Sequence, residues 1–248
     1  MMVEIEGDGE PIMLVHGLGG TSNTWQPLLP ALAGMRVIRP DLPGAGRSVT
    51  PKGVIDVPFL ANALIRLASE LGIETMHLVG HSFGTLVAQH VAATRPALVR
   101  SLTLFGPIIE PADVARERLR GRAKAVREHG MADVADQVAS AGLASSAAQD
   151  NPTALAFVRE SHMRQDAEGF AKSCEALAGA DRAAASAIKC PVLAVAGDED
   201  AVSPPGNAYQ LADEIKGARA QILSGCGHWA PVEKPNECRQ LLSEFLRG

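Results

Sequence analysis

Ser82 stands between two glycines in the pentapeptide Gly-His-Ser-Phe-Gly at residues 80–84, directly after an apolar run over residues 76–79. A serine on a sharp turn from a strand into a helix can attack a carbonyl carbon, and glycines beside it remove Cβ atoms that would clash in the turn. The chain has 24 glycines, so a glycine-rich turn without chemistry is the alternative interpretation. The surrounding sequence has to decide between the two.

Two later loops contain the groups that a nucleophilic serine needs. Residues 197–200 read Gly-Asp-Glu-Asp, His228 lies in Gly-Cys-Gly-His-Trp at 225–229, and both loops follow short apolar runs. A serine hydroxyl reacts poorly at neutral pH unless an imidazole takes its proton and a carboxylate orients that imidazole. We therefore predict Ser82 as the nucleophile, His228 as the base and an aspartate of the first loop as the acid.

A glycine-rich loop near the start of the chain is a candidate for stabilising negative charge. Residues 16–20 read His-Gly-Leu-Gly-Gly and follow an apolar run, which is the position where open α/β sheets bind ligands. The backbone amides of Leu18 and Phe83 are predicted to bind the oxyanion of a tetrahedral intermediate, with His16 orienting the loop. A phosphate-binding loop is the alternative, but the Lys-Ser/Thr pair of a P-loop is missing.

Short apolar runs alternate with amphipathic segments, which predicts how these loops are positioned. Near-continuous apolar runs are typical of strands buried on both faces of a parallel sheet. The predicted strands are 12–15, 36–39, 76–79, 101–105, 192–196 and 220–223. The predicted helices are 57–71, 86–94, 208–215 and 237–246. Strand-helix alternation with right-handed crossovers gives a doubly covered, mostly parallel α/β sheet, and brings the candidate loops to one edge of it.

One long segment interrupts the alternation. Residues 107–188 contain no convincing strand and are rich in alanine, with basic residues interleaved with acids between Arg116 and Arg127. We predict a helical cap, 107–188, inserted into a core formed by 1–106 and 189–248. The alternating charges indicate a solvated helix face.

Composition excludes several functional classes. The formal net charge is −5 over 248 residues, without the basic face that nucleic-acid binding requires. No apolar run approaches the roughly 20 residues of a membrane span, and residues 1–6 lack the features of a signal peptide. The four scattered cysteines show no Cys-x-x-Cys spacing, which predicts reduced thiols, no metal site and a cytoplasmic location.

Five motifs in this order resemble the α/β-hydrolase superfamily. They are His16-Gly17, Asp-Leu-Pro-Gly-Ala-Gly-Arg-Ser at 41–48, the pentapeptide at 80–84, the acidic loop at 197–200 and Gly227-His228. The resemblance spans nearly the whole chain and implies a Ser-His-Asp triad, a helical cap and no cofactor. About eleven residues precede the first apolar run, so we expect a shortened N-terminal hairpin and a sheet of seven strands.

The resemblance also selects the acid. In related hydrolases the aspartate of the triad is commonly followed, after three residues, by a proline, and Asp200 stands in this relation to Pro204. Asp198 is expected to accept backbone N–H groups within its loop.

With a serine as the predicted nucleophile, the chain resembles the acyl-transferring members of the superfamily. The haloalkane dehalogenases and epoxide hydrolases of the superfamily attack with aspartate instead. We expect cleavage of a small carboxylic ester or lactone, with cleavage of a carbon-carbon bond next to a ketone as an alternative. Residues 168–181 resemble the end of the cap in 3-oxoadipate enol-lactonases and related carboxylesterases, whereas residues 138–148 lack aromatic residues of that group. A ligand receptor with a slow triad is the alternative from another class.

The partner is therefore expected to be a small acyl compound, and the oligomeric state is left open. Large side chains near the loops or in the cap are the candidates for substrate contact. They are Trp25, Met131, Phe157, Met163, Phe170 and Trp229, with Leu143 as a further cap residue. For both tryptophans, packing in the core is the alternative.

Overall fold

A seven-stranded sheet forms the centre of the described part of the chain, residues 1–147 and 149–248 of a computed structural model. The strands are β1 (Val3–Glu6), β2 (Pro11–Val15), β3 (Arg36–Pro40), β4 (Met76–His81), β5 (Val99–Phe105), β6 (Val192–Gly197) and β7 (Arg219–Leu223). Their order is β1-β3-β2-β4-β5-β6-β7, and β1 alone runs antiparallel to its neighbour. The predicted fold class and strand number are confirmed.

Burial explains which strands could be predicted from apolar runs in the sequence. All residues of β4 and β6 are buried, as expected for central strands covered by helices on both faces. In β1, Val3 and Ile5 alternate with Glu4 and Glu6, which suits an edge strand that contacts solvent. This strand was not among the six predicted apolar runs, because its pattern has a period of two.

Helices cover both faces of the sheet. On one face, α1 (Val57–Glu70) and α2 (Phe83–Thr94) bury leucine and valine side chains against β2 and β4. On the other face, a 3-10 helix (Ser22–Leu32) packs with the chain's C-terminal helix. The four predicted helices are confirmed, although α2 and the two later ones begin two to three residues earlier than predicted, at Phe83, Pro205 and Pro235. Proline suits such starts because it lacks the N–H that a first helical residue leaves unbonded.

The described residues between β5 and β6 form five α-helices and no strand. They are α3 (Asp113–His129), α4 (Ala132–Gly142), α5 (Ala147–Asp150), α6 (Pro152–Met163) and α7 (Ala167–Ala178), followed by a 3-10 turn (Ala185–Ala187). Arg127 on α3 forms ion pairs with Glu168 and Glu175 on α7. Buried residues of α3 and α7, among them Val126 and Phe170, belong to the same apolar cluster as the helices on the sheet. The chain then continues through α8 (Pro205–Glu214), α9 (Ala230–Glu233) and α10 (Pro235–Arg247).

The topology brings four loops to one edge of the sheet. Residues 16–20 follow β2, Ser82 follows β4, Asp200 follows β6 and His228 follows β7. The carboxyl ends of parallel strands meet at the same edge. In the described part of the chain, no helix combines the length and the apolar character needed to cross a membrane.

Candidate active site

Ser82 occupies a strained turn between β4 and α2. Its φ is 52° and its ψ is −122°, and no other non-glycine residue in the described ranges has a positive φ. Such a conformation costs about 1–3 kcal/mol and is maintained only by its surroundings. A Cβ on Gly80 would lie 2.7 Å from the Gly84 carbonyl oxygen, and one on Gly84 would lie 2.2 Å from the Val15 oxygen. The turn therefore requires both glycines of the pentapeptide.

Three predicted side chains meet in a buried, hydrogen-bonded row. The Ser82 Oγ lies 2.6 Å from His228 Nε2, and His228 Nδ1 lies 2.8 Å from Asp200 Oδ2. The other oxygen of Asp200 accepts the backbone N–H groups of Val202 and Ser203. Because the carboxylate can only accept at Nδ1, that nitrogen carries the proton and Nε2 is free to accept from the serine. This arrangement allows the imidazole to remove the serine proton.

The other two acidic residues of the loop have different partners. Asp198 accepts from the backbone N–H of Cys226 and from the Ser224 hydroxyl, and these bonds lower the pKa of its carboxyl. Glu199 accepts from the backbone N–H and hydroxyl of Ser145, in the segment between α4 and α5. Of the three carboxylates, Asp200 is the one in hydrogen-bond contact with His228.

Glu233 holds the loop that contains His228, and sequence reasoning missed it. Its carboxylate accepts the backbone N–H groups of Gly227 and Trp229 on either side of the histidine, and of Ala144 beyond α4. Burial raises the pKa of Glu233, and the hydrogen bonds from these amides only partly oppose that rise. No motif marks a glutamate five residues after the histidine, so the sequence offered no signal for this role.

The amides of Leu18 and Phe83 donate to no acceptor within the described residues. His16 Nε2 accepts the Leu42 N–H at 2.9 Å, so its Nδ1 carries the proton and donates to the Gly17 carbonyl at 2.8 Å. Burial lowers the pKa of His16, which keeps the ring neutral. In a trans peptide the N–H points opposite to the carbonyl. Holding the Gly17 carbonyl therefore also orients the Leu18 N–H.

Two further buried histidines lie beside the row. His81, directly before Ser82, donates to the His228 carbonyl and packs 4.8 Å from the Trp229 ring. His162 on α6 packs 5.7 Å from the same tryptophan ring and 5.9 Å from Phe170. Burial lowers the pKa of His81 to about 3 and that of His162 to about 4. Both rings are therefore neutral at physiological pH and are packed beside Trp229, a contact that no motif indicated for His162.

The predicted substrate contacts are distributed over different environments. Phe170 lines a cavity of only about 10 Å³ together with Leu18 and Phe83, which is room for about one water. Trp229 is buried with Leu143, and Phe157 packs against this cluster from a half-buried position.

Three of the predicted contacts lie elsewhere. Met131 is buried in the main apolar cluster. Trp25 is fully buried on the opposite face of the sheet, with its ring 6.4 Å from Phe105, so the core interpretation holds for it. Met163 is 46% exposed at the end of α6 and lines neither this cavity nor the larger groove. Substrate contact at Met131, Trp25 and Met163 stays a prediction, and the packing alternative fits Trp25.

A larger groove of about 600 Å³ lies away from the serine. It runs along the start of α1, the middle of α2 and the end of α7, and its lining includes Lys52, Asp56, His90 and Lys172. Its lining includes neither the three residues of the hydrogen-bonded row nor Leu18 and Phe83, whereas Leu18 and Phe83 line the smaller cavity. Within the described residues, no cluster of histidine, cysteine or acidic side chains could hold a metal ion.

Comparison with known proteins shows which families and structures this chain resembles. The family model described as alpha/beta hydrolase fold matches residues 10–235. The chain is 26% identical to (E)-2-((N-methylformamido)methylene)succinate hydrolase of Acinetobacter baylyi, covering 97% of this chain and 92% of that one. A thermophilic esterase from Thermogutta terrifontis is 29% identical with a TM-score of 0.92, covering 99% and 92%. The enol-lactonase of Burkholderia xenovorans LB400 is 28% identical with a TM-score of 0.94, covering 100% and 96%.

Proposed function

Because the chain belongs to the α/β-hydrolase family, we propose that it is a serine hydrolase that cleaves a small carboxylic ester or lactone through an acyl-enzyme on Ser82. The observation that carries this proposal is the hydrogen-bonded row from the Ser82 hydroxyl through His228 to Asp200. A hydroxyl, a neutral imidazole and a carboxylate in this order are the groups required for nucleophilic acyl transfer.

In the proposed mechanism, His228 Nε2 takes the Ser82 proton as the oxygen attacks the substrate carbonyl. The amides of Leu18 and Phe83 bind the oxyanion, and the carbonyl reforms when His228 protonates the departing alkoxide. Water then attacks the acyl-enzyme with His228 again as base, which releases the acid and restores the serine. Asp200 orients the imidazole and stabilises its positive charge in both steps.

Ester and lactone chemistry is supported by the similarity to an esterase and to an enol-lactonase, each over nearly the full length. Action on an enol-lactone is the second candidate, favoured by the resemblance of residues 168–181 to the cap of enol-lactonases. We propose that residues 107–188 serve as the cap over this site.

Replacement of the nucleophile tests the proposal. Ser82→Ala is expected to lower kcat for p-nitrophenyl acetate by about 10⁴-fold or more, while the circular dichroism spectrum stays unchanged. A fluorophosphonate probe should label the wild type and not this variant. Ser140→Ala is the matched control, since Ser140 is exposed on α4 and donates only to a carbonyl of its own helix.

Two outcomes would contradict the proposal. Ser82→Ala with most of its activity retained would exclude an acyl-enzyme on this residue. Wild type that neither turns over esters and lactones nor reacts with the probe would favour a ligand receptor. If the wild type is active, a panel of short esters, long esters and enol-lactones separates the two hydrolase candidates by the class of substrate that is cleaved. Among the esters, chain-length dependence reports the depth of the pocket.

A further inference from the structure

The carbonyl of Gly19 accepts hydrogen bonds from two side chains at the end of α6. Ser161 Oγ donates to it at 2.7 Å and Gln165 Nε2 donates to it at 3.1 Å. The same Gln165 nitrogen donates to the Ser161 carbonyl at 2.8 Å. Two side chains that lie far from the loop at 16–20 in the sequence thus converge on one carbonyl of that loop.

Gln165 also connects this loop to a third segment. Its Oε1 accepts the backbone N–H of Gly46, in the loop at 41–48, at 3.0 Å. The side chain is 6% exposed and uses both its donor and its acceptor ends. An amide can do both at once, whereas a carboxylate accepts only and an ammonium donates only. The residue type therefore fits a bridge between α6 and two loops of the core.

The carbonyl that Gln165 holds belongs to Gly19, the residue directly after Leu18. Glycines occupy three of the five positions of the loop, and Gly19 has a positive φ of 71°. Glycine lowers the steric barriers of the backbone, so such a loop needs external contacts to keep one conformation. His16 holds the Gly17 carbonyl from the core. The Gly19 carbonyl is held by residues of the α6 end.

Space on this side of the loop is tightly filled. A Cβ on Gly19 would lie 2.2 Å from Nε2 of His162, next to Ser161 in sequence. The end of α6 therefore both contacts the loop and donates to it, and the loop cannot move toward α6 without displacing these side chains.

We propose that Gln165, assisted by Ser161, is a positioning residue that fixes the oxyanion loop, so that the loop adopts its active conformation only when the end of α6 is in place. This inference rests on the proposed hydrolase function for its catalytic consequence. The Leu18 N–H contributes most in the transition state, when the carbonyl oxygen becomes charged. A loosened loop should lower kcat with little change in KM.

Gln165→Met removes both ends of the bridge and retains the length of the side chain. We expect a decrease of roughly tenfold in kcat for p-nitrophenyl acetate, with KM within about twofold and an unchanged pH profile of kcat/KM. Ser161→Ala alone should have a small effect, because Gln165 still donates to Gly19. The double variant should lose more than the product of the single effects, because a buried carbonyl then loses its last donor.

Hydrogen exchange of residues 16–20 measures the position of the loop without turnover. Exchange should become faster in Gln165→Met and remain at the wild-type rate in Arg164→Ala, whose exposed side chain is the matched control. If Gln165→Met does not fold, Gln165→Glu, which keeps the acceptor for Gly46 and loses the donor to Gly19, gives the same comparison.

Unchanged kcat with unchanged exchange would overturn the inference, and so would a shifted pH profile, since that would indicate a general disturbance of the site. A wild type without esterase or lactonase activity would refute the proposed function, whereas the exchange rates would still decide whether Gln165 holds the loop.

Discussion

The loop at residues 16–20, which we propose binds the oxyanion, is supported from two sides that are built differently. Toward the sheet, His16 and the Gly20 amide hold the Gly17 carbonyl, so this support lies within the loop itself. Toward α6, Ser161 and Gln165 lie 142 and 146 positions from the glycine whose carbonyl they hold. The first support is contained in a short motif, whereas the second exists only after the chain has folded.

This contrast extends to the whole site. On the side of the sheet, side chains are placed by buried strands and by glycines that leave no space for a Cβ. On the side of the α3–α7 segment, apolar packing and close approaches such as Gly169 to the Gly44 carbonyl oxygen occur too, but the hydrogen bonds to the core loops come from individual polar side chains such as Gln165 and Ser145. All the proposed catalytic groups, Ser82, Asp200, His228 and the amides of Leu18 and Phe83, therefore lie on the sheet side.

The largest effect is expected from breaking the sheet side at Asp200. In Asp200→Asn, the amide oxygen should keep the position that accepts the Val202 and Ser203 amides, and its NH₂ group would then face His228 Nδ1. The imidazole would have to accept at Nδ1 and could no longer take the serine proton at Nε2. We expect kcat to fall by about 10⁴-fold, measured with p-nitrophenyl acetate.

Asp198→Asn and Glu199→Gln are the matched controls for this variant. Their carboxylates bond to Cys226 and Ser145 and not to His228, so activity should stay within about threefold of the wild type. If either control lost as much activity as Asp200→Asn, our assignment of Asp200 as the acid would be wrong.

A glycine-to-alanine substitution on each side tests the comparison through the free energy of unfolding instead of through activity. Gly84→Ala would place a Cβ 2.2 Å from the Val15 carbonyl oxygen and 2.5 Å from that of His16, both backbone atoms that cannot move aside. We expect the free energy of unfolding in urea to decrease by about 3 kcal/mol.

Gly121→Ala is the counterpart on the helical side. Gly121 lies within α3 with nothing inside 4 Å of the added Cβ, so alanine should stabilise the protein by about 0.5–1 kcal/mol through helix propensity. Equal destabilisation by both substitutions would contradict the difference in packing that we describe.

The same contrast explains how much the sequence revealed. Ser82, the acidic loop at 197–200 and His228 each follow a predicted strand, so the order of strands brought them to one edge of the sheet as candidates. The choice of Asp200 within that loop came from its spacing to Pro204, which resembles related hydrolases. The strand at Val3–Glu6 was missed because an alternating edge strand lacks an apolar run.

Other residues had no local signal at all. Ser161, His162 and Gln165 act through contacts between segments far apart in the chain, and neither composition nor spacing indicates which polar side chains will meet. Glu233 accepts amides only four and six positions away, from Trp229 and Gly227, and none of the motifs named above pointed to it. Conversely, Trp25 follows the oxyanion loop closely in sequence, but the turn of the 3-10 helix directs it into the opposite face of the sheet.

A further comparison concerns stability at low pH, with one buried histidine from each side. Burial lowers the pKa of His81 to about 3 and that of His162 to about 4, from an ordinary value of 6.5. Nearby positive charge adds to both shifts, from His228 for His81 and from Arg122 for His162. Below pH 6.5 the unfolded chain binds protons at both positions while the folded protein does not, so the free energy of unfolding must decrease as the pH falls from about 6.5 to 4.

Each histidine contributes a slope of up to about 1.4 kcal/mol per pH unit in this window. His81→Gln and His162→Gln should each remove about one proton from the slope measured by urea unfolding between pH 7 and 4. Because α3 and α7 share one apolar cluster with the helices on the sheet, we expect a single transition in all variants. If His162→Gln altered only a separate, earlier transition, the helical side would unfold independently, and the tight packing between the two sides of the site would be contradicted.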